Sequence, residues 1–358
     1  MKSSFYTPAE LKKSEVAATA KLKPIPRKHL SVLFTTIGRR VSLLNSFRRA
    51  AKQLGLNVTF FGTDANNLSS ALHLCDRKYT VKPITHPGYL KELLAFVRKN
   101  RIDLLIPTID SNLLLFAKNG KKFARLGCQV LISSPGVIDI CRDKRETYRF
   151  LTKNGFDTPE VITPRAALAK KSLKYPRFLK PWDGSASRHT TMVRNHSELA
   201  FYSKRVPNCI VQEFIRGTEY TCDVFVGADM KVHCVVPRKR IEVRAGEVSK
   251  SQIVKNKYIM KRTAELVETL GAGPGVITIQ LILDLDKKIH FIEINPRFGG
   301  GAPLSIKAGA NFPKWILQEL VGQKPDIKLD GFEDNLIMLR YDAEVWLKNS
   351  QGGKVKHI

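Results

Sequence analysis

The sequence predicts a mixed α/β and α+β protein, with an N-terminal doubly wound parallel-sheet domain followed by an antiparallel portion. Three observations predict it. Between residues 31 and 134, β-branched apolar runs alternate with amphipathic stretches, the rhythm of a parallel sheet covered by helices. From residue 177 onward, strand-like runs come in pairs joined by short turns, as in hairpins. At 358 residues the chain exceeds one ordinary core and suits two or three domains.

The elements follow in order. "SVLFTT" from Ser31 is a buried parallel strand, and "IGRR" is a turn. "VSLLNSFRRAAKQLG" puts Val41, Leu44, Phe47, Ala51 and Leu54 on one helical face, and Gly55 stops the helix. "NVTFFGTD" is a strand ending at Asp64, "YLKELLAFVRKNR" a helix, "DLLIPTID" a strand, and "GCQVLISS" closes the unit. Residues 134–159 hold two short helices, the second capped by Asp143 and stopped at Asn154-Gly155. "RFLKPWDGSASRHTTMV" reads as strand, loop, strand, and residues 209–237 as a strand and a hairpin turning at Gly227-Ala228-Asp229. A helix is expected over 256–270, a hairpin over 275–296 with its turn near Asp284–Lys287, and a helix over 304–322. Residues 1–29 read as a basic extension, and 326–358 as a C-terminal extension adding a strand or two.

A hydrophobic share of 43% is that of a globular chain, and no apolar run reaches the length of a membrane-spanning helix. The N-terminus lacks the apolar stretch of a secretory signal. The six cysteines form no CxxC pair and no zinc frame, which fits free thiols in the cytoplasm. The net charge is +28, distributed as +5 over residues 1–30, +11 over 31–135 and +12 over the rest. Charge spread in this way attracts acidic substrates or polyanions. No zinc finger, RNP-type motif or heptad-linked basic region specifies nucleic acid, so that partner is not favoured.

The stretch "IHFIEINPRFGG" ends a strand with an acid, an amide and a guanidinium within five positions: Glu293, Asn295 and Arg297. Asn295 shares the strand face of Glu293, and Gln280 lies across the hairpin from it. Three oxygen donors on one face suit a hard cation, Mg²⁺ (or Mn²⁺), that also binds a phosphate chain. Lys180 closes "RFLK" ahead of "PWDGSAS", whose backbone and hydroxyls (Ser185, Ser187) suit phosphate oxygens. In "QEFIRGTE", Gln212, Glu213, Phe214 and Ile215 would read an adenine edge and Glu219 the ribose, although alone the stretch is an ordinary strand and turn. "PRKRIEVRAGEVSKSQ" reads as a solvated loop or as a basic lid carrying Arg238, Arg240, Arg244 and Lys250. "TTIGRRVSLLNSF" lacks GxGxxG, so Arg39 and Arg40 at its helix start are assigned to substrate rather than to a dinucleotide. Asp64 and Asp110, at strand ends, are further substrate candidates.

From about residue 30 to 325 the chain resembles the ATP-grasp superfamily, through "LKPWDGSAS", "VQEFIRGTEYTCDVF" and "IQLILDLDKKIHFIEINPRFGGGAPLSIKAGAN" in that order and spacing. More narrowly it is similar to the carboxyphosphate-forming half of the carbamoyl-phosphate synthase large chain. The resemblance implies an N-terminal α/β domain over 30–135 and a two-lobed ATP-grasp domain over 136–325, with an A lobe at about 136–208 and a B lobe at about 209–325. It implies ATP and Mg²⁺ as cofactors, with Lys144 and Lys180 on the phosphates and Gln212, Glu213, Phe214 and Ile215 as adenine hinge. It further implies Glu219 on the ribose, Gln280, Glu293 and Asn295 on the metal, and Arg297 steadying an acyl phosphate. Many superfamily members carry an acid where Gln280 stands, whereas the carbamoyl-phosphate synthase group also has glutamine. The second synthetase half and any glutaminase are missing, so carbamoyl-phosphate synthesis itself is not expected.

The expected function is an ATP-dependent carboxylate–amine (or carboxylate–thiol) ligase acting on small molecules. The alternative is a nucleic-acid-binding or nucleotide-regulated protein that keeps the fold without turnover. The identities of the carboxylate and amine, and whether the chain forms a homodimer, are not legible.

Overall fold

The computed structural model describes residues 23–25, 29–184, 189–244, 246–349 and 355–357. In the first unit, β1 (His29–Thr35), α1 (Val41–Gln53), β2 (Asn57–Asp64), α2 (Ser70–His73) and β3 (Arg77–Thr80) come first. They are followed by α3 (Tyr89–Asn100), β4 (Leu104–Pro107), α4 (Asp110–Ala124) and β5 (Gln129–Val130). The strands form one parallel sheet in the order β3-β2-β1-β4-β5, so the chain winds outward from β1 in both directions. The apolar run of β1 is continuous because both faces are covered. Leu30, Val32 and Phe34 pack with Leu44 and Phe47 of α1, while Leu33 packs with Leu93 and Phe116 of α3 and α4. The strand expected in "DLLIPTID" stops at Pro107, and Asp110 opens α4 instead. The crevice beside the C-terminal ends of β1 and β4 is the switch point at which such sheets bind ligands.

The second unit begins with α5 (Pro135–Arg142) and α6 (Lys144–Lys153). Asp143 caps α6, its Oδ1 accepting from the Arg145 amide at 2.9 Å. Then come β6 (Val161–Ile162), α7 (Pro164–Ala169), β7 (Arg177–Pro181), β8 (Thr191–Val193), α8 (His196–Tyr202) and β9 (Cys209–Glu213). These strands form an antiparallel sheet in the order β6-β9-β7-β8. β9 pairs along β7, with Ile210 opposite Lys180, so residues 209–213 belong to the second sheet.

The third sheet is larger. It is built from β10 (Gly217–Val226), β11 (Val232–Arg244), β12 (Glu247–Ile253), β13 (Gly275–Asp284) and β14 (Ile289–Asn295), with α9 (Lys257–Leu270) between β12 and β13. The helix expected over 304–322 is two helices, α10 (Ala302–Lys307) and α11 (Phe312–Leu320). Asn311 caps the second through a 3.2 Å bond from the Lys314 amide. The C-terminal segment adds β15 (Ile337–Leu339) to the edge, giving the order β14-β13-β10-β11-β12-β15. A separate hairpin joins β16 (Leu347–Asn349) to β17 (Val355–His357). The basic segment 237–252 is therefore no loop: it is the β11–β12 hairpin, with Arg238 opposite Ile253 and Arg240 opposite Ser251. Among the described residues no helix is long and apolar enough to cross a membrane.

Inside this sheet Arg238 is 1% exposed and Asp223 0%. Arg238 donates through Nε to Asp223 Oδ2 at 2.8 Å and through Nη2 to Oδ1 at 3.1 Å, and the Ser305 hydroxyl donates to the same carboxylate at 2.7 Å. Removing one partner of a buried pair strands the other charge. Asp223→Ala is expected to cost about 3–5 kcal/mol of unfolding free energy, read by urea titration.

Candidate active site

The geometry starts at the β13–β14 hairpin. Gln280 is paired in register with Glu293 and Thr278 with Asn295. Just past that pair the register shifts: Leu281 faces Phe291, which leaves Ile292 as an extra residue in β14. Ile292 and Glu293 then both face a cavity of about 260 Å³ between the second and third sheets. The apolar part of its lining is Phe178, Ile215, Ile282 and Ile292, and the polar part includes Lys144, Lys180, Glu219, Gln280 and Glu293.

The remaining expected nucleotide residues sort differently around it. Gln212 is buried in the wall. Glu213 also lines it, but its carboxylate accepts from the Glu160 amide at 3.2 Å and its own amide donates to Glu160 O at 2.9 Å. It therefore ties β9 to the strand beside it. Phe214 is not in the wall; its ring packs on that of Phe178, 5.6 Å between centroids. Ser185 and Ser187 lie outside the described residues. Lys144 is fixed by its amide, which donates to Trp182 O at 3.0 Å, and by its ammonium, which donates to Gly184 O at 2.5 Å.

A second cavity, about 500 Å³, opens between the N-terminal domain and the third sheet. Glu219, Gln280 and Glu293 line both cavities, so the two meet at these three residues. Arg297 reaches across the domain boundary. Its Nε donates to Asp110 Oδ1 at 2.8 Å, its Nη2 bonds the other oxygen, and its Nη1 donates to Phe298 O at 3.0 Å. Arg240 stands 3.1 Å from Glu219 Oε1. Glu247, which sequence reasoning passed over, gathers three arginines: Arg39 at 3.3 Å, Arg40 at 3.8 Å and Arg340 at 3.1 Å. An acid inside a run of basic residues was the available signal, shared with Glu242.

Three of the candidates, Asp64, Arg244 and Lys250, line neither cavity. Asp64 spends its two oxygens on two turns, accepting from the amide of Gly38 after β1 at 2.8 Å and from that of Asn66 after β2 at 3.0 Å. Arg244, 72% exposed, pairs with Glu242, as does Lys250. Arg238 lines the second cavity while its Nε and Nη2 are held by Asp223.

Burial lowers the pKa of Lys180 from 10.5 to about 8; Glu293 opposes the shift and Lys144 adds to it. Its ammonium makes no hydrogen bond or ion pair among the described residues. The charged form is thus the one that burial penalises and an anion would restore. The folded pKa lies below the ordinary value, so the folded protein sheds this proton first. Unliganded stability should then rise as pH climbs from about 8 toward 10.5. Affinity for an anion seated on this ammonium, probed with sulfate, should move the opposite way. It is expected to hold steady below about pH 8 and to weaken by up to about tenfold per pH unit above it, measured by calorimetry.

Comparison with known proteins fits this arrangement. Residues 141–301 match the family model of the ATP-grasp domain, and residues 32–131 that of the PylC-like N-terminal domain. The chain is an ATP-grasp domain protein. This ATP-grasp protein is 24% identical over 278 residues to the carbamoyl phosphate synthase large chain of Campylobacter jejuni, an alignment covering 72% of the chain and 25% of that relative. The chain thus spans about a quarter of that relative's length. Its fold is shared with the biotin carboxylase domain of Hydrogenobacter thermophilus 2-oxoglutarate carboxylase, solved with MgADP and bicarbonate. There the TM-score is 0.68 at 16% identity, over 86% of this chain and 73% of the other. It is also shared with an L-amino acid ligase from Bacillus licheniformis, with TM-score 0.63 at 21% identity over 82% and 75% of the two chains.

Proposed function

We propose that this ATP-grasp protein is an ATP-dependent ligase that activates a small carboxylate as an acyl phosphate and joins it to an amine (or thiol), releasing ADP and phosphate. One observation carries the reading: Glu293 and Gln280 stand where the nucleotide-sized cavity meets the arginine-lined one. A phosphate delivered along the first would emerge beside a carboxylate held in the second.

The adenine ring would pack against the apolar lining, Phe178, Ile215, Ile282 and Ile292, with Gln212 at its edge and Glu219 on the ribose. Lys144 and Lys180 would neutralise the phosphates. The donors Glu293, Gln280 and Asn295 are all oxygens, and among the described residues no cluster of three or more His, Cys, Asp or Glu forms a cage. One carboxylate and two amides fit Mg²⁺ that completes its shell with phosphate oxygens and water. Bound there, Mg²⁺ would supply charge neutralisation of the transferring phosphoryl group. Arg297 would orient the attacking carboxylate, which displaces ADP from the γ-phosphorus. The amine then attacks the acyl carbon, phosphate leaves, and the amine loses a proton.

The test uses hydroxylamine as a generic nucleophile. With MgATP and a panel of carboxylic acids, hydroxamate should form in step with ADP. ADP release without hydroxamate for any acid, or failure to bind ADP, would remove the ligase reading. Salt-sensitive nucleic-acid binding in a protein that fails to bind ADP would favour the non-catalytic alternative.

A further inference from the structure

The arginine-lined cavity contains more guanidinium donors than its acids use. Arg238 commits Nε and Nη2 to Asp223, but its buried Nη1 has no partner. Arg40 makes no side-chain hydrogen bond among the described residues, and its nearest acid, Glu247, is 3.8 Å away. Both groups lie against consecutive glycines. A Cβ on Gly301 would collide with Arg238 Nη1, and one on Gly300 would stand 3.0 Å from Arg40 Nη1. The two guanidiniums, one from the N-terminal domain and one from the third sheet, therefore pack over consecutive glycines, with the Glu247 carboxylate beside Gly300, and both line the second cavity. Arg297 lines the same cavity; burial, and after it the charge of Arg297, lowers the pKa of Arg40.

We propose that Arg40 and Arg238 form a second oxyanion subsite over Gly300-Gly301, which binds an anionic group of the substrate other than the carboxylate being activated. The substrate is then a carboxylic acid bearing a second carboxylate or a phosphate. This rests on the ligase reading above: Arg297 serves the reacting carboxylate, and the pair Arg40 and Arg238 serves the remote one. A purely structural role for Arg238 leaves its Nη1 orphaned, whereas an oxyanion in the cavity would satisfy it together with Arg40.

The experiment uses the full chain, MgATP and hydroxylamine, with acids in matched sets: butyrate against glutarate and 4-phosphonobutyrate, and alanine against aspartate and phosphoserine. In at least one set the dianion is expected to exceed its monoanionic partner by about tenfold or more in kcat/KM for hydroxamate. Whether the carboxylate or the phosphorus member wins names the second group. Arg40→Gln and Arg238→Lys should each bring the dianion down to within about twofold of the monoanion, acting mainly through KM. Should Arg238→Lys fail to fold, Arg40→Gln carries the test, because Arg40 makes no hydrogen bond that folding needs. ADP binding by the wild-type chain is measured alongside. If ADP fails to bind, the ligase reading falls; if it binds and no dianion exceeds its partner, or the preference survives both substitutions, the second subsite is overturned.

Discussion

Glu293→Gln is expected to lower ATP-dependent phosphate release by about 10²-fold or more, with the protein still folded. Glutamine keeps the shape and the strand position opposite Gln280, so the β13–β14 register has no reason to slip. What it removes is the one negative charge among the three oxygen donors Gln280, Glu293 and Asn295. It also removes the charge that opposes the lowered pKa of Lys180. Two readouts separate these effects. ADP binding in the presence of a chelator should change little, whereas the gain in affinity on adding Mg²⁺ should largely vanish. A variant with wild-type turnover and an unchanged Mg²⁺ effect would place the chemistry elsewhere in the molecule.

The second large effect is expected at Arg297. Arg297→Ala should reduce hydroxamate formation by about 10³-fold while leaving ADP affinity within about twofold, since an arginine that stabilises transferring charge acts on rate. Arg297→Lys should rescue little. A lysine cannot hold Asp110 through two parallel bonds and still present a donor to substrate. Asp110→Asn tests the same contact from the other domain. It leaves an amide where a carboxylate received both bonds, so the guanidinium loses its anchor but not its charge. A loss of roughly tenfold is expected, smaller than that of Arg297→Ala. Equal losses in the two variants would mean that the pair serves only to join the domains.

The parts of this site that were readable in the sequence are those set by local geometry. Glu293, Asn295 and Arg297 follow one another on one strand end, and a single tight turn brings Gln280 close to Glu293, although the bulge at Ile292, which spacing does not reveal, sets their pairing. The arginine hairpin was harder to read. Along β11, residues alternate between Arg238, Arg240, Glu242, Arg244 and Pro237, Lys239, Ile241, Val243, and charge on both sets hides the period-two signal of a strand. Arg238 is buried because Asp223, fifteen positions earlier, meets it from the neighbouring strand, a contact decided by sheet order. The helix Asp110–Ala124 went unread because Asn112, Asn119, Gly120 and a lysine-rich end dilute its apolar face. Asp64 looked like a strand-end acid free for substrate, but its two oxygens cap two turns, accepting from the amide of Gly38 after β1 and from that of Asn66 after β2.

The short strand β15 has a consequence for any shortened form of the protein. It pairs with β12 through residues 337–339, and Arg340 next to it holds Glu247. A chain ending at residue 325 would leave the backbone of β12 without its neighbour, a ready template for a strand of another molecule. Such a fragment should self-associate at concentrations where the full chain does not.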